Sequence, residues 1–176
     1  MLTRKYVYSA NIIPKVFAKI QEGTAPEKFT AQHLKDIGCK SSNDRAIIPL
    51  LKDLGFLTDD GQPTKVYHDY RDPSRAGQVL GQALKNVYGD LFTIQEHPTD
   101  ANRGEIKGKF ISTHNVKDAV ADQQTTTFYA LLKMADLNGA EIPASAEIED
   151  RPDQMMSDQS QQHLDKKVRN GSQIQH

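Results

Sequence analysis

Apolar side chains along this chain recur at helical spacing in most places and alternate in only one. Ile12, Ile13, Val16, Phe17 and Ile20 share one face, so residues 11 to 22 are read as an amphipathic helix that Gly23 ends. Pro26 lies in the following turn. Thr30 is placed to cap a second helix over Ala31 to Ile37, with Phe29 stapling onto Leu34 and Gly38 supplying the left-handed stop. Ser41-Ser42-Asn43-Asp44 then offers a cap with an acidic residue in the first turn of a third helix, whose core stripe is Ala46, Ile47, Leu50, Leu51 and Leu54 and whose end is Gly55. Pro49 falls inside it and predicts a kink near Arg45 to Pro49, because proline deletes a donor and crowds the carbonyl four residues earlier.

The pattern changes at Phe56. Phe56-Leu57-Thr58, the turn Asp59-Asp60-Gly61 and Lys65-Val66-Tyr67 predict a β-hairpin, with Pro63 tolerable at an edge or in the loop. Two helices, a tight turn and a hairpin make a winged helix-turn-helix. Asp72 as cap and Pro73 at the first helical position predict a fourth helix, with Ala76, Val79, Leu80, Ala83, Leu84, Val87, Tyr88 and Leu91 as its stripe. Residues 93 to 104 are rich in turn formers and predict a boundary. Beyond it, Ile106, Phe110 and Ile111 suggest one short helix, Val116, Ala119 and Val120 another, and Phe128, Leu131, Leu132 and Ala135 a third.

The expected fold class is therefore mainly α: a winged helix-like domain over residues 1–92, a second helical helix-turn-helix-like unit over 93–140, and an acidic polar tail over 141–176. HLKDIGCKSSNDRAIIPLLKDLG, His33 to Gly55, lines up with NVKDAVADQQTTTFYALLKMADL, Asn115 to Leu137, which supports a second helix-turn-helix-like unit without a wing; internal duplication is the lesser explanation, since two helices joined by a polar turn recur widely. From Pro143 onward the tail turns to Ser, Gln, Asp and Asn, with too little apolar surface to offset its ordering entropy, so it is read as disordered, with Ser160 to Arg169 able to form a helix on a partner.

KSSNDRAIIPLLKDLGFL followed by DGQPTKVYHDYRD resembles the N-terminal domain of a bacterial family of unknown function that pairs a winged-helix-like unit with a variable C-terminal part. The resemblance covers roughly residues 5 to 92 and extends toward 137. It implies an architecture, carries no established catalytic residues, and leaves function open.

Apolar residues make up 37% of the chain, enough for a helical core, and mean hydropathy is −0.64. No apolar run approaches the roughly 20 residues of a membrane helix, and no signal-type apolar stretch follows Met1 to Tyr6. Cys39 is the single cysteine, which excludes an intramolecular disulfide and suits a reducing cytoplasm. Residues 1 to 92 carry 13 Lys/Arg against 10 Asp/Glu, far short of the footprint of a strong nucleic-acid binder.

His33, His68, His97, His114, His163 and His176 are scattered without metal-ligand spacing and are read as solvated or capping residues. Gly77 and Gly81 fall inside a helix, where close packing explains them better than a phosphate loop. No nucleophile motif accompanies Cys39, so the chain is read as a binding protein without cofactor or metal, not an enzyme.

Two places could make contact. Lys40, Ser41, Ser42, Asn43 and Arg45, at the start of the third helix, suit phosphates and base edges, although Ser41 and Asn43 are also ordinary caps and Asp44 repels a phosphate backbone. Lys65, Tyr67, His68, Tyr70 and Arg71, where the wing meets the fourth helix, suit phosphate contact and stacking; their simpler reading, an ion-paired and tyrosine-packed strand end, weighs more. The expected partner is double-stranded DNA, bound by a monomer or homodimer. The alternative is a protein-interaction module, which near-neutral charge and Asp44 favour.

Overall fold

The computed structural model describes residues 1–139. The elements are α1 (Ile12–Glu22), α2 (Ala31–Asp36), a 3-10 turn (Ser42–Ala46), α3 (Ile47–Asp53), α4 (Lys65–Tyr70), α5 (Ala76–Val87), α6 (Gly89–Ile94), a second 3-10 turn (Asp100–Asn102), α7 (Arg103–His114) and α8 (Asp118–Leu132). The tail from Pro143 lies outside the described residues.

Local rules that rest on caps and stops hold closely. All five residues of the α1 stripe, Ile12, Ile13, Val16, Phe17 and Ile20, are buried, and Gly23 ends the helix in an extended conformation, its N–H still bonded to Lys19 O. Thr30 caps α2 by accepting from the His33 N–H. Gly38 (φ +91°) and Gly55 (φ +78°) each turn left-handed, and the N–H groups of Cys39 and Phe56 reach back to Leu34 O and Leu51 O. These are paired Schellman stops, and the residue after each glycine is driven into the core. The strain foreseen around Pro49 appears as a change of helix type: the 3-10 turn gives way to α3 at Ile47, which leaves Pro49 in the first turn, where a missing donor costs little.

The β-wing is overturned, and with it the winged-helix fold. Among the described residues there is no β-strand, only an isolated antiparallel bridge between Leu57 and Pro63. Pro63 brings no N–H to extend a ladder. Beside it, the Thr64 hydroxyl accepts from the Tyr67 N–H and donates to Gly55 O, starting α4 over the residues expected to form the second strand. A cap, an i,i+4 pair of Lys65 with Asp69, and tyrosines three apart are helix signals that the apparent alternation conceals. Tyr70 and Phe56 close over Phe17, with ring centroids 5.2 to 5.4 Å apart in edge-on pairs.

α5 begins later than Asp72 and Pro73 suggest, because Asp72 accepts from Ser74 N and Oγ in a preceding turn. The chain bends at Tyr88, so Leu91 lies on α6, yet both are buried as expected. Tyr88 and Phe92 lie 5.0 and 5.9 Å from the Phe128 ring, so the apolar core runs across the connector at 93 to 104.

Three short helices expected beyond residue 104 are two. The run Asp122 to Thr127, which interrupts the apolar pattern, is helical within α8 and partly buried, with Gln124, Thr125 and Thr127 at 2%, 0% and 0% exposure. Thr125 and Thr127 donate to the carbonyls of Ala121 and Gln123, four residues back, and so enter the core with their hydroxyls satisfied. Asn115 (φ 52°, ψ 48°) makes the left-handed link from α7 to the turn before α8. The proposed duplication does not survive in three dimensions: Lys35-Asp36 closes α2, whereas its sequence counterpart Lys117-Asp118 opens α8.

Gly77 and Gly81 are needed for close approach, though the neighbour is the chain after α8 and not another helix. Asp136 N–H donates to Gly77 O at 2.8 Å, and a Cβ at Gly81 would fall inside contact distance of Asp136 O. Gly108, midway along α7, faces open space. Gly81→Ala should therefore destabilise the protein by about 1–3 kcal/mol through overpacking, even though alanine is the better helix former by about 1 kcal/mol. Gly108→Ala should stabilise by roughly 0.5–1 kcal/mol. Urea unfolding midpoints check both, and equal gains would show that residues 134–139 do not lie on α5. Thr64→Ala should cost about 1–2 kcal/mol as a lost cap, against less than about 0.5 kcal/mol for Lys65→Ala at an exposed pair, read from the same unfolding curves.

Candidate binding surface

The turn between α2 and α3 presents its polar residues outward. Lys40, Ser41, Ser42, Asn43 and Arg45 are all exposed. Their geometry follows from a capping box: Ser41 accepts from the Asn43 N–H at 3.2 Å, and the Asp44 carboxylate accepts from the Ser41 N–H at 3.1 Å. Asp44 is thus turned back onto the turn's own backbone. Lys40 and Arg45 form no ion pair among the described residues. Lys15 of α1 donates to Gly38 O at 2.7 Å, which adds a cation beside the turn, and Lys35 is exposed on α2. Sequence spacing could not reveal Lys15, because only folding brings α1 to the end of α2.

The second expected set is dispersed by α4. Tyr67 and Tyr70 are core residues at 2% and 5% exposure, their phenols pushed up by burial. Arg71 donates to Gly23 O at 2.8 Å and so closes the end of α1, while Gln21 reaches Tyr70 O. Lys65 pairs with Asp69 at 2.6 Å, and Asp69 also faces Arg75 at 3.9 Å. Only Lys65 and His68 stay exposed. The ion-paired, tyrosine-packed reading is the one realised, on a helix instead of a strand.

Potential reactive groups do not converge. No group of three or more His, Cys, Asp or Glu placed to hold a metal occurs among the described residues. Cys39 is buried at 1% exposure, and burial pushes its thiol up, away from the nucleophilic thiolate. His33 is half-buried against Phe29, ring centroids 4.8 Å apart, and desolvation lowers its proton affinity against the pull of Asp36. His114 departs from the solvated reading, at 5% exposure. Burial also pushes the Tyr88 phenol far above its usual range, and no partner for its hydroxyl exists among the described residues. No described helix is long and apolar enough to cross a membrane.

No curated protein and no solved structure is significantly similar to the chain. A family model does match, over residues 5–142, which spans every helix from α1 to α8. The chain belongs to DUF5343, a family of unknown function.

Proposed function

We propose that this chain is a non-enzymatic helical binding module that contacts the phosphate backbone of double-stranded DNA through the turn between α2 and α3. The observation that carries this reading is the exposure of Lys40, Ser41, Ser42, Asn43 and Arg45 on a turn whose one carboxylate, Asp44, is held on the Ser41 N–H. Lys15 and Lys35 extend the cationic side, and Ser and Asn side chains add hydrogen-bonding capacity for phosphate oxygens. Lys65 and His68, exposed on α4, are secondary candidates; Tyr67, Tyr70 and Arg71 are committed to the fold and take no part.

A second reading, docking onto another protein, is favoured by exposed Asp36 at the end of α2, by exposed Asp59 and Asp60 in the loop after α3, and by the net charge of −1. Fluorescence anisotropy with random duplex at two salt concentrations separates the two. On the DNA reading, affinity falls steeply with salt, and Lys40→Ala with Arg45→Ala weakens binding on all sequences alike and lowers the log–log salt slope by about 2. Lys65→Ala should leave the slope within about 1 of the parent. Absence of measurable binding at about 50 mM salt would leave the protein-docking reading in place.

A further inference from the structure

Ahead of α1 the chain runs as a strap over the ends of several helices, and side chains make most of its ties. Thr3 N–H donates to Val87 O at 3.2 Å, Lys5 N–H to Thr3 Oγ1 at 3.0 Å, and Val7 N–H to Thr127 Oγ1 at 3.1 Å. The Thr3 hydroxyl donates to the Asp53 carboxylate. Gln124 Nε2 donates to Arg4 O at 3.0 Å, which fixes the amide so that its oxygen is presented to His114. His114 Nδ1 lies 3.4 Å from that oxygen, and Nε2 lies 3.2 Å from Leu2 O.

The imidazole thus faces two acceptors. A neutral ring has one N–H and one lone pair, so it can satisfy one of them while its lone pair opposes the other; an imidazolium donates to both. We propose that His114 is a protonation-sensitive latch on the strap of residues 2–7. The charged ring closes it by donating to Leu2 O and Gln124 Oε1. Loss of the proton gives up one of these bonds and loosens the strap at its Leu2 to Arg4 end.

The charged groups around the ring bear on the same equilibrium. Asp90 of α6 is held low first by its hydrogen bond to the Met1 ammonium and to a smaller extent by Lys109 and His114. The Met1 ammonium and Lys109 are the cations on the same side of Asp90. On α8 the group in contact is the neutral Gln124, and on α7 the Phe110 ring lies 5.8 Å away. The sign follows from the hydrogen bonds: closure stabilised by the protonated ring is present at low pH and lost as pH rises through the histidine range. Asp90 has the opposite sign and acts only near and below the carboxylate range of about 4. This latch is separate from the α2–α3 turn and does not depend on DNA binding.

Amide hydrogen exchange on the full chain at about pH 5.5 and 7.5, corrected for intrinsic rates, tests it. Protection at Thr3 and Lys5 should fall several-fold across this interval while Leu84 in α5 stays constant. The fall should vanish in His114→Asn, which keeps one donor at either pH. An unchanged strap in the parent, or the same fall in the variant, overturns the proposal. Ring ¹⁵N spectra of the unaltered protein give a second reading that needs no variant: two N–H signals for His114 at the lower pH support the latch, and a single neutral tautomer at both values refutes it.

Discussion

The seating of α8 in the middle of the bundle is the constraint on which the rest of this structure depends. It packs on α1, α5 and α7, and Phe128, with no exposure, receives Tyr88 and Phe92 on neighbouring elements. The helix could not sit there if Thr125, Thr127 and Gln124 brought unpaired polar atoms with them, since each such group costs about 1–3 kcal/mol. Thr125 and Thr127 bond back to their own helix, Thr127 also accepts from Val7, and Gln124 donates to Arg4 O. Polar residues in this helix therefore do what apolar ones could not: they fill the core and also organise a segment that has no helix of its own.

That arrangement explains which features could be read from the sequence. Caps and stops depend on a few adjacent residues, so Thr30, Ser41, Gly38 and Gly55 announce their roles without knowledge of the fold. The stripe of α1 is equally plain because every apolar position in it is buried. α8 was hidden for the opposite reason: its buried face contains threonine and glutamine, whose suitability for a core depends on partners supplied by the backbone four residues earlier and by the strap. Similarly, Lys65-Val66-Tyr67 alternates like a strand over three residues, and only the cap at Thr64 and the burial of Tyr70 decide for a helix.

The candidate surface was legible to the extent that its residues need no long-range partner. Lys40 to Arg45 form a contiguous turn, and the capping box that orders them is local. Tyr67, Tyr70 and Arg71 belong with them only if a wing exists; once α4 forms, Tyr70 packs on Phe17 and Phe56, Tyr67 lies against Phe29, and Arg71 closes the end of α1. Lys15 and His114 carry no local signal at all, because the groups that give them meaning, Gly38 O and Leu2 O, come from 23 and 112 residues away along the chain.

Resistance to opening is consequently uneven across the described residues. Around Phe17, Phe56 and Tyr70 the contacts are aromatic and buried, so any local opening there exposes apolar surface at about 25 cal/mol per Å². The strap lacks both a helical ladder and a strand partner, and apart from the buried Val7 side chain and the partly buried Leu2 its hold comes from individual bonds to Val87, Thr127, Gln124, Asp53 and His114. Single hydrogen bonds contribute about 0.5–1.5 kcal/mol each, and they can be released a few at a time. A fold with this division can free residues 2–7 while leaving the α1–α3–α4 core intact, whereas the reverse order would first have to take apart the aromatic contacts that keep α4 against α1.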